Sequence, residues 1–281
     1  MRKHLTTIII IVMFIVGLSV LLYPAISNYI NQKNASKVIG EYNDKLENTS
    51  DDRIEDMYAQ AQDYNKRLAD TASAFYNPES VKGYETTLDI TGTGIMGYID
   101  IDRIGVELPI YHTVDESVLG TGAGHLEGTS LPVGGESTHC VLSGHRGLPS
   151  AKLFTDLDEL EVGDEFTITV LNKKLTYRID QIKTVKPSET EDLQIESGMD
   201  YCTLMTCTPY GINSHRLLLR GVRVETAQDK PGIFVKNEAF RIDPLVVTPI
   251  VAVPMLVVVL VFVLVRDHRS KKKEEVRGEE T

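Results

Sequence analysis

The alternation of apolar and polar positions divides the chain into three regimes. The first is continuous apolarity. Leu5 to Leu22 and Leu245 to Val265 carry no charged side chain, and each has about the 20 residues a helix needs to cross a hydrocarbon core. The second regime, over 31–75, has a helical period. Ile54, Met57, Tyr58, Ala61, Tyr64 and Leu68 recur at steps of three and four, behind a helix-start cluster at Thr49, Ser50, Asp51 and Asp52. Its apolar face is narrow, so it predicts one or two helices packed on a larger body. Asn77-Pro78 ends that pattern.

The third regime has a period of two. From about residue 84, short alternating runs are separated by Gly, Pro, Asp and Asn. Ile99 and Ile101 alternate with acids. Phe166, Ile168 and Val170 alternate with polar neighbours, as do Leu175, Tyr177 and Ile179. Met199, Tyr201, Thr203 and Met205 follow, and Leu217, Leu219, Val222 and Val224 close the series. Many short strands with regular turn signals predict an all-β barrel or sandwich. A short helix is expected at 150–160, capped by Ser150, with Leu153, Leu157 and Leu160 on one side. Residues 226–243 read as a polar linker.

Charge orients these regimes. Arg2 and Lys3 precede the first apolar run, and Arg266, Arg269, Lys271, Lys272 and Lys273 follow the second. Both ends read as cytoplasmic, which places the middle outside the membrane. A cleaved signal peptide is the rival reading of the first run. Tyr23, two residues before Ala25, spoils the small-x-small cleavage pattern and favours an anchor. The net charge of −11, with basic tails, makes the middle acidic and argues against a nucleic-acid partner.

Candidate chemistry rests on three residues. Cys207 ends an alternating run and precedes Thr208-Pro209-Tyr210-Gly211, a turn that sets it at the tip of a strand. Cys202, an odd number of residues earlier, points to the opposite face of that strand. Cys202 and Cys140 read as packing residues. His145 lies between Gly144 and Gly147 just past a strand at 138–143. Arg216 starts the strand after the Cys207 turn. A thiolate, an imidazole and a guanidinium form an acyl-transfer set: nucleophile, proton carrier and oxyanion support. Singly, each also fits a loop or surface role. There is no Cys-x-x-Cys or His-x-x-x-His pair, so no metal site is expected. The acidic stretch with Glu189, Glu191, Asp192 and Glu196 reads as a solvated loop rather than a calcium site. His4, His112, His125, His139, His215 and His268 read as solvated or packing residues.

Longer stretches carry a resemblance. Thr203 to Cys207, TLMTC, is similar to the TLxTC signature of sortases. Arg216, nine residues downstream, and His145, sixty-two upstream, match the family's arginine and histidine. The segments 108–112, 122–160 and 203–221, and the two apolar runs, resemble class C, the pilin-polymerising subgroup. The resemblance implies a mainly β fold: a closed eight-stranded barrel with short helices, an N-terminal helical extension and two flanking transmembrane helices. The expected organisation is an anchor at 1–23, an extension with a possible lid at 24–83 and the catalytic barrel at 84–225. A linker at 226–244, a second transmembrane helix at 245–265 and a cytoplasmic tail at 266–281 follow.

The resemblance further implies a cysteine transpeptidase at the membrane of a Gram-positive cell, with its catalytic domain outside. Cys207 would cleave an LPxTG-like sorting signal through a thioester, His145 would move protons, and Arg216 would steady the oxyanion. Leu204 and Thr206 of the signature are the expected substrate-binding residues. Partners are proteins with a C-terminal sorting signal, an amine acceptor (a pilin lysine or a cell-wall peptide) and the lipid bilayer. No cofactor is required. A housekeeping sortase and an inactive assembly module are the alternatives. Class C members often carry an Asp-Pro-aromatic lid. Here Tyr76, Asn77 and Pro78 stand in its place, with Glu79 after the proline. Lacking the acid, this lid is expected to block the site less tightly.

Overall fold

A computed structural model of the chain describes residues 2–225, 252–258, 260, 261 and 265. The predicted linker, most of the second apolar run and the basic tail lie outside the described residues. The chain divides into two compact units, with the boundary after Tyr29.

Helix α1 spans Arg2–Glu47. From Ile8 it is long and apolar enough to cross a membrane, and Ile9, Met13, Val16 and Val20 are exposed along it. It runs unbroken through the predicted boundary at residue 23. Pro24 lies inside it, and so do Asn28 and Asn31. Proline keeps a helical φ and forfeits one backbone donor, a loss that membrane helices tolerate.

The second unit holds the rest of α1, helix α2 (Asp51–Ala69) and the barrel. On α1, Tyr42 is fully buried. Its hydroxyl donates to Met96 O (3.0 Å) and accepts from the Leu171 N–H (2.7 Å). On α2, Ile54, Ala61, Tyr64, Asn65 and Leu68 are buried, the three-and-four period read from the sequence. Buried Asn65 pairs with Leu131 as a strand would, accepting from its N–H (2.7 Å) and donating to its carbonyl (3.1 Å). The helical extension is thus hydrogen-bonded into the barrel's loops. It stops at Ala69, earlier than Asn77-Pro78, where the Thr71 hydroxyl caps the Arg67 carbonyl (2.8 Å).

Eight strands follow: β1 (Ile95–Ile101), β2 (Val106–Tyr111), β3 (Ala123–His125), β4 (Thr138–Ser143), β5 (Glu165–Val170), β6 (Lys173–Val185), β7 (Asp200–Thr208) and β8 (His215–Val224). A four-residue helix α3 (Glu116–Leu119) lies between β2 and β3. The strands close into a barrel in the order β1-β2-β3-β4-β7-β8-β6-β5. Most neighbours are antiparallel, but β2–β3 and β4–β7 are parallel. Ile99, Leu142, Ile168, Tyr177, Leu204 and Leu219 share one continuous core.

The helix expected at 150–160 is absent. Only a 3-10 turn at Leu157–Glu159 forms. Leu153 takes a left-handed φ of 43°, which breaks a right-handed helix, and the Phe154 N–H donates to His145 O (3.1 Å). Leu153, Phe154, Leu157 and Leu160 are still buried.

Candidate active site

The parallel pairing of β4 with β7 has a constant offset. Thr138 pairs with Asp200, and each next residue follows in step to Ser143 with Met205. The Gly144 N–H donates to Met205 O (3.1 Å), which carries the ladder one residue further. His145 is the next residue of this chain, and Cys207 lies two residues past Met205 on β7. On the other side of β7, the antiparallel register pairs Cys207 directly with Arg216. The three residues singled out in the sequence therefore stand at one end of three adjacent strands.

Side-chain parity decides what else belongs to the site. Cys207 is half-buried and free. Cys202, Leu204 and Thr206 are on the alternate face, with exposures of 0%, 0% and 1%. This corrects the expectation for Leu204 and Thr206: both point into the barrel, where a bound peptide has no surface to reach. Thr206 instead donates its hydroxyl to Gly144 O (2.7 Å), tying the Cys207 strand to the His145 loop. Cys202 packs beside its register partner Cys140, and burial pushes its thiol well above the usual range.

The two glycines around His145 have steric causes. A Cβ on Gly144 would meet the Phe154 ring at 2.6 Å. Gly147 has φ +78°, and a Cβ there would meet Tyr210 at 2.9 Å. Arg146, beside His145, is almost wholly buried. It pairs with Asp158 and donates to the Thr208 hydroxyl (3.3 Å). It links the two loops that carry His145 and follow Cys207. Arg216 directs one guanidinium nitrogen to His215 O (3.2 Å) and Asn213 O (3.4 Å), contacts that aim the fork along the strand end.

A small apolar cluster joins β4, β7, β8 and the loop 186–199. Val141, Leu193 and Leu218 are buried there, with Met205 and Phe75 packed against them. Phe75 precedes the predicted lid residues and was not singled out in the sequence. Tyr76 is 74% exposed, and its hydroxyl meets Thr190 Oγ1 at 3.2 Å. Pro78 starts a 3-10 turn with Asn77 before it. No hydrogen bond or ion pair among the described residues joins Tyr76, Asn77 or Pro78 to Cys207, His145 or Arg216.

The remaining histidines are held in the scaffold. His139 is buried between Gln194 O (2.8 Å) and Thr203 Oγ1 (2.7 Å). Burial pushes its pKa down. His112 and His125 are buried and bonded to backbone carbonyls. In the acidic loop, Asp192 pairs with Lys183 and Glu196 with Arg220, so these carboxylates face cations. Among the described residues no cluster of His, Cys, Asp and Glu is arranged to hold a metal.

Residues 99–224 match the Sortase domain family. The solved sortase C1 of Streptococcus agalactiae is 48% identical, covering 68% of this chain and 99% of its own, with a TM-score of 0.62. The chain belongs to the sortase family, whose members are cysteine transpeptidases. The solved relatives named here are of class C. They include sortase C of Streptococcus pneumoniae, 42% identical over 68% of this chain and 97% of that one (TM-score 0.60). Sortase C of Clostridium perfringens, solved with a C-terminal cell wall sorting motif, is 42% identical over 68% and 100% (TM-score 0.60). Bacillus subtilis sortase D is 31% identical over 131 residues, 46% of this chain and 63% of the relative.

Proposed function

We propose that the protein is a membrane-held transpeptidase that cleaves an LPxTG-like sorting signal and joins the new acyl end to an amine, a pilin lysine in pilus polymerisation. The register that sets His145, Cys207 and Arg216 at adjacent strand ends carries this reading. The Cys207 thiolate attacks the Thr carbonyl of the signal. Arg216 donates to the tetrahedral oxyanion. The intermediate collapses to a thioester as His145 gives a proton to the departing amine. The incoming amine then attacks the thioester, His145 takes its proton, and the thiolate leaves. One amide replaces another, so no redox partner enters. The Clostridium perfringens relative bound to a sorting motif supports the substrate class. The first apolar run of α1 supports anchoring. We assign the second run, 245–265, as a further anchor, with the barrel outside the cell.

The test is incubation of the full-length enzyme, in detergent, with a purified pilin bearing a sorting signal and an acceptor lysine. Covalent ladders are expected from wild type and none from Cys207→Ala. A single adduct would point to wall anchoring instead. Ladders formed by Cys207→Ala would overturn the nucleophile.

A further inference from the structure

Nothing in the strand register explains what holds the His145 ring. The imidazole is 24% exposed. Its backbone is fixed by the Phe154 N–H bond and by the crowding of Gly144, but neither contact constrains rotation of the side chain. One side chain does. Glu116, the first residue of α3, presents both carboxylate oxygens to Nε2, at 3.1 and 3.2 Å. No other hydrogen-bond partner meets the ring among the described residues.

We infer that Glu116 is a positioning residue for His145, an inference that rests on the proton role given to His145 above. An ionised carboxylate only accepts, so Nε2 carries the hydrogen and Nδ1 is left as the ring's open base. During acylation Nδ1 takes the thiol proton and later yields it to the leaving amine. During thioester resolution it takes a proton from the incoming amine. In each charged interval the Glu116 carboxylate faces the imidazolium. This is the arrangement of a nucleophile, a base and a third group that orients the base, here supplied by a helix of four residues on the connection from β2 to β3. Arg146, next to His145 in the chain, is already engaged by Asp158, and Asp115 precedes Glu116 at the start of α3.

Glu116 is 83% exposed, so its removal empties no core and leaves no buried group unpaired. Its loss therefore separates catalysis from folding. The experiment measures cleavage of a fluorogenic sorting-signal peptide by full-length wild type, Glu116→Gln, Glu116→Ala and His145→Ala. Glu116→Ala should lower kcat by up to about 100-fold, the scale of a misplaced catalytic group, with KM for the peptide and the melting temperature unchanged. Glu116→Gln should fall between, because its amide oxygen still accepts from Nε2–H but brings no charge. If His145→Ala is inactive while Glu116→Ala turns over like wild type, or loses only in KM, the role of Glu116 is overturned and that of His145 stands. If His145→Ala retains full turnover, both fail together.

Discussion

Cys207 and Arg216 are direct register partners across the β7–β8 pair. Directly opposite residues in an antiparallel pair hold their Cβ atoms about 5 Å apart, and these two sit on the same face by the parity of the strands. The two side chains therefore start from neighbouring positions on one face. Two of its contacts go to carbonyls of its own strand start. Lysine has a point charge without the planar fork. Arg216→Lys should lower kcat/KM for the sorting peptide by about 100-fold, the usual loss for an oxyanion donor, with the fold intact by circular dichroism.

Thr206 tests the link between the strand that carries Cys207 and the loop that carries His145. Its hydroxyl is the donor to Gly144 O, next to His145. Thr206→Val keeps the shape and leaves that acceptor unmatched, at a cost of roughly 1–2 kcal/mol. Denaturant unfolding should show this loss together with a drop in kcat. Thr206→Ser should restore both.

Tyr42 tests the docking of the helical extension. Tyr42→Phe leaves the Leu171 N–H and the Met96 carbonyl without a partner inside the protein. The expected loss is about 2 kcal/mol, read by differential scanning as a melting temperature lowered by roughly 4–8 °C.

Asp100 gives a pH dependence of stability. Desolvation, then the charges of Glu107 and Asp102, raise its carboxyl to about 6, against the pull of Lys174. A raised acid pKa means that the folded state holds this proton more tightly than the unfolded chain. The group's contribution is present below about pH 4 and is lost as pH rises through about 6. Asp100→Asn should therefore stabilise the protein at pH 7.5, by about 1 kcal/mol for a partly exposed group, and give no gain at pH 4.

The lid residues give a labelling prediction. Tyr76 is exposed and hydrogen-bonded to Thr190, and no hydrogen bond among the described residues joins it to Cys207, His145 or Arg216. A charged methanethiosulfonate should modify Cys207 readily in the wild-type protein. The double variant Tyr76→Ala, Asn77→Gly should react at nearly the same rate. A large acceleration would mean that this segment shields the thiol.

Much of this arrangement is legible in the sequence. The period-two runs mark the strands, and the turn after Cys207, the glycines around His145 and the spacing of Arg216 mark the site. Parity along β7 also separates Cys202 from Cys207. What the chain hides is pairing. Nothing local tells that β4 lies parallel to β7 rather than to β5, so the common offset that brings His145 to the Cys207 end of β7 emerges only from the closed barrel. The inward turn of Leu204 and Thr206 was available from the same parity, since both are an odd number of residues from Cys207. Glu116 was not: it is one carboxylate among many on an acidic chain, and only the fold brings it to the imidazole. The missing helix at 150–160 was a failure of periodicity, because Leu153, Leu157 and Leu160 are spaced for a helix while Leu153 takes a left-handed φ, the Phe154 N–H goes to His145 O and the remaining bonds close only local turns.

The chain between β4 and β7 builds β5 and β6, which close the far side of the barrel. Synthesis and export deliver the N-terminal strands first, so His145 emerges well before Cys207 exists, and Arg216 comes last. An unfinished chain therefore holds only part of the set, and the three side chains come to one end only when the enclosure is complete.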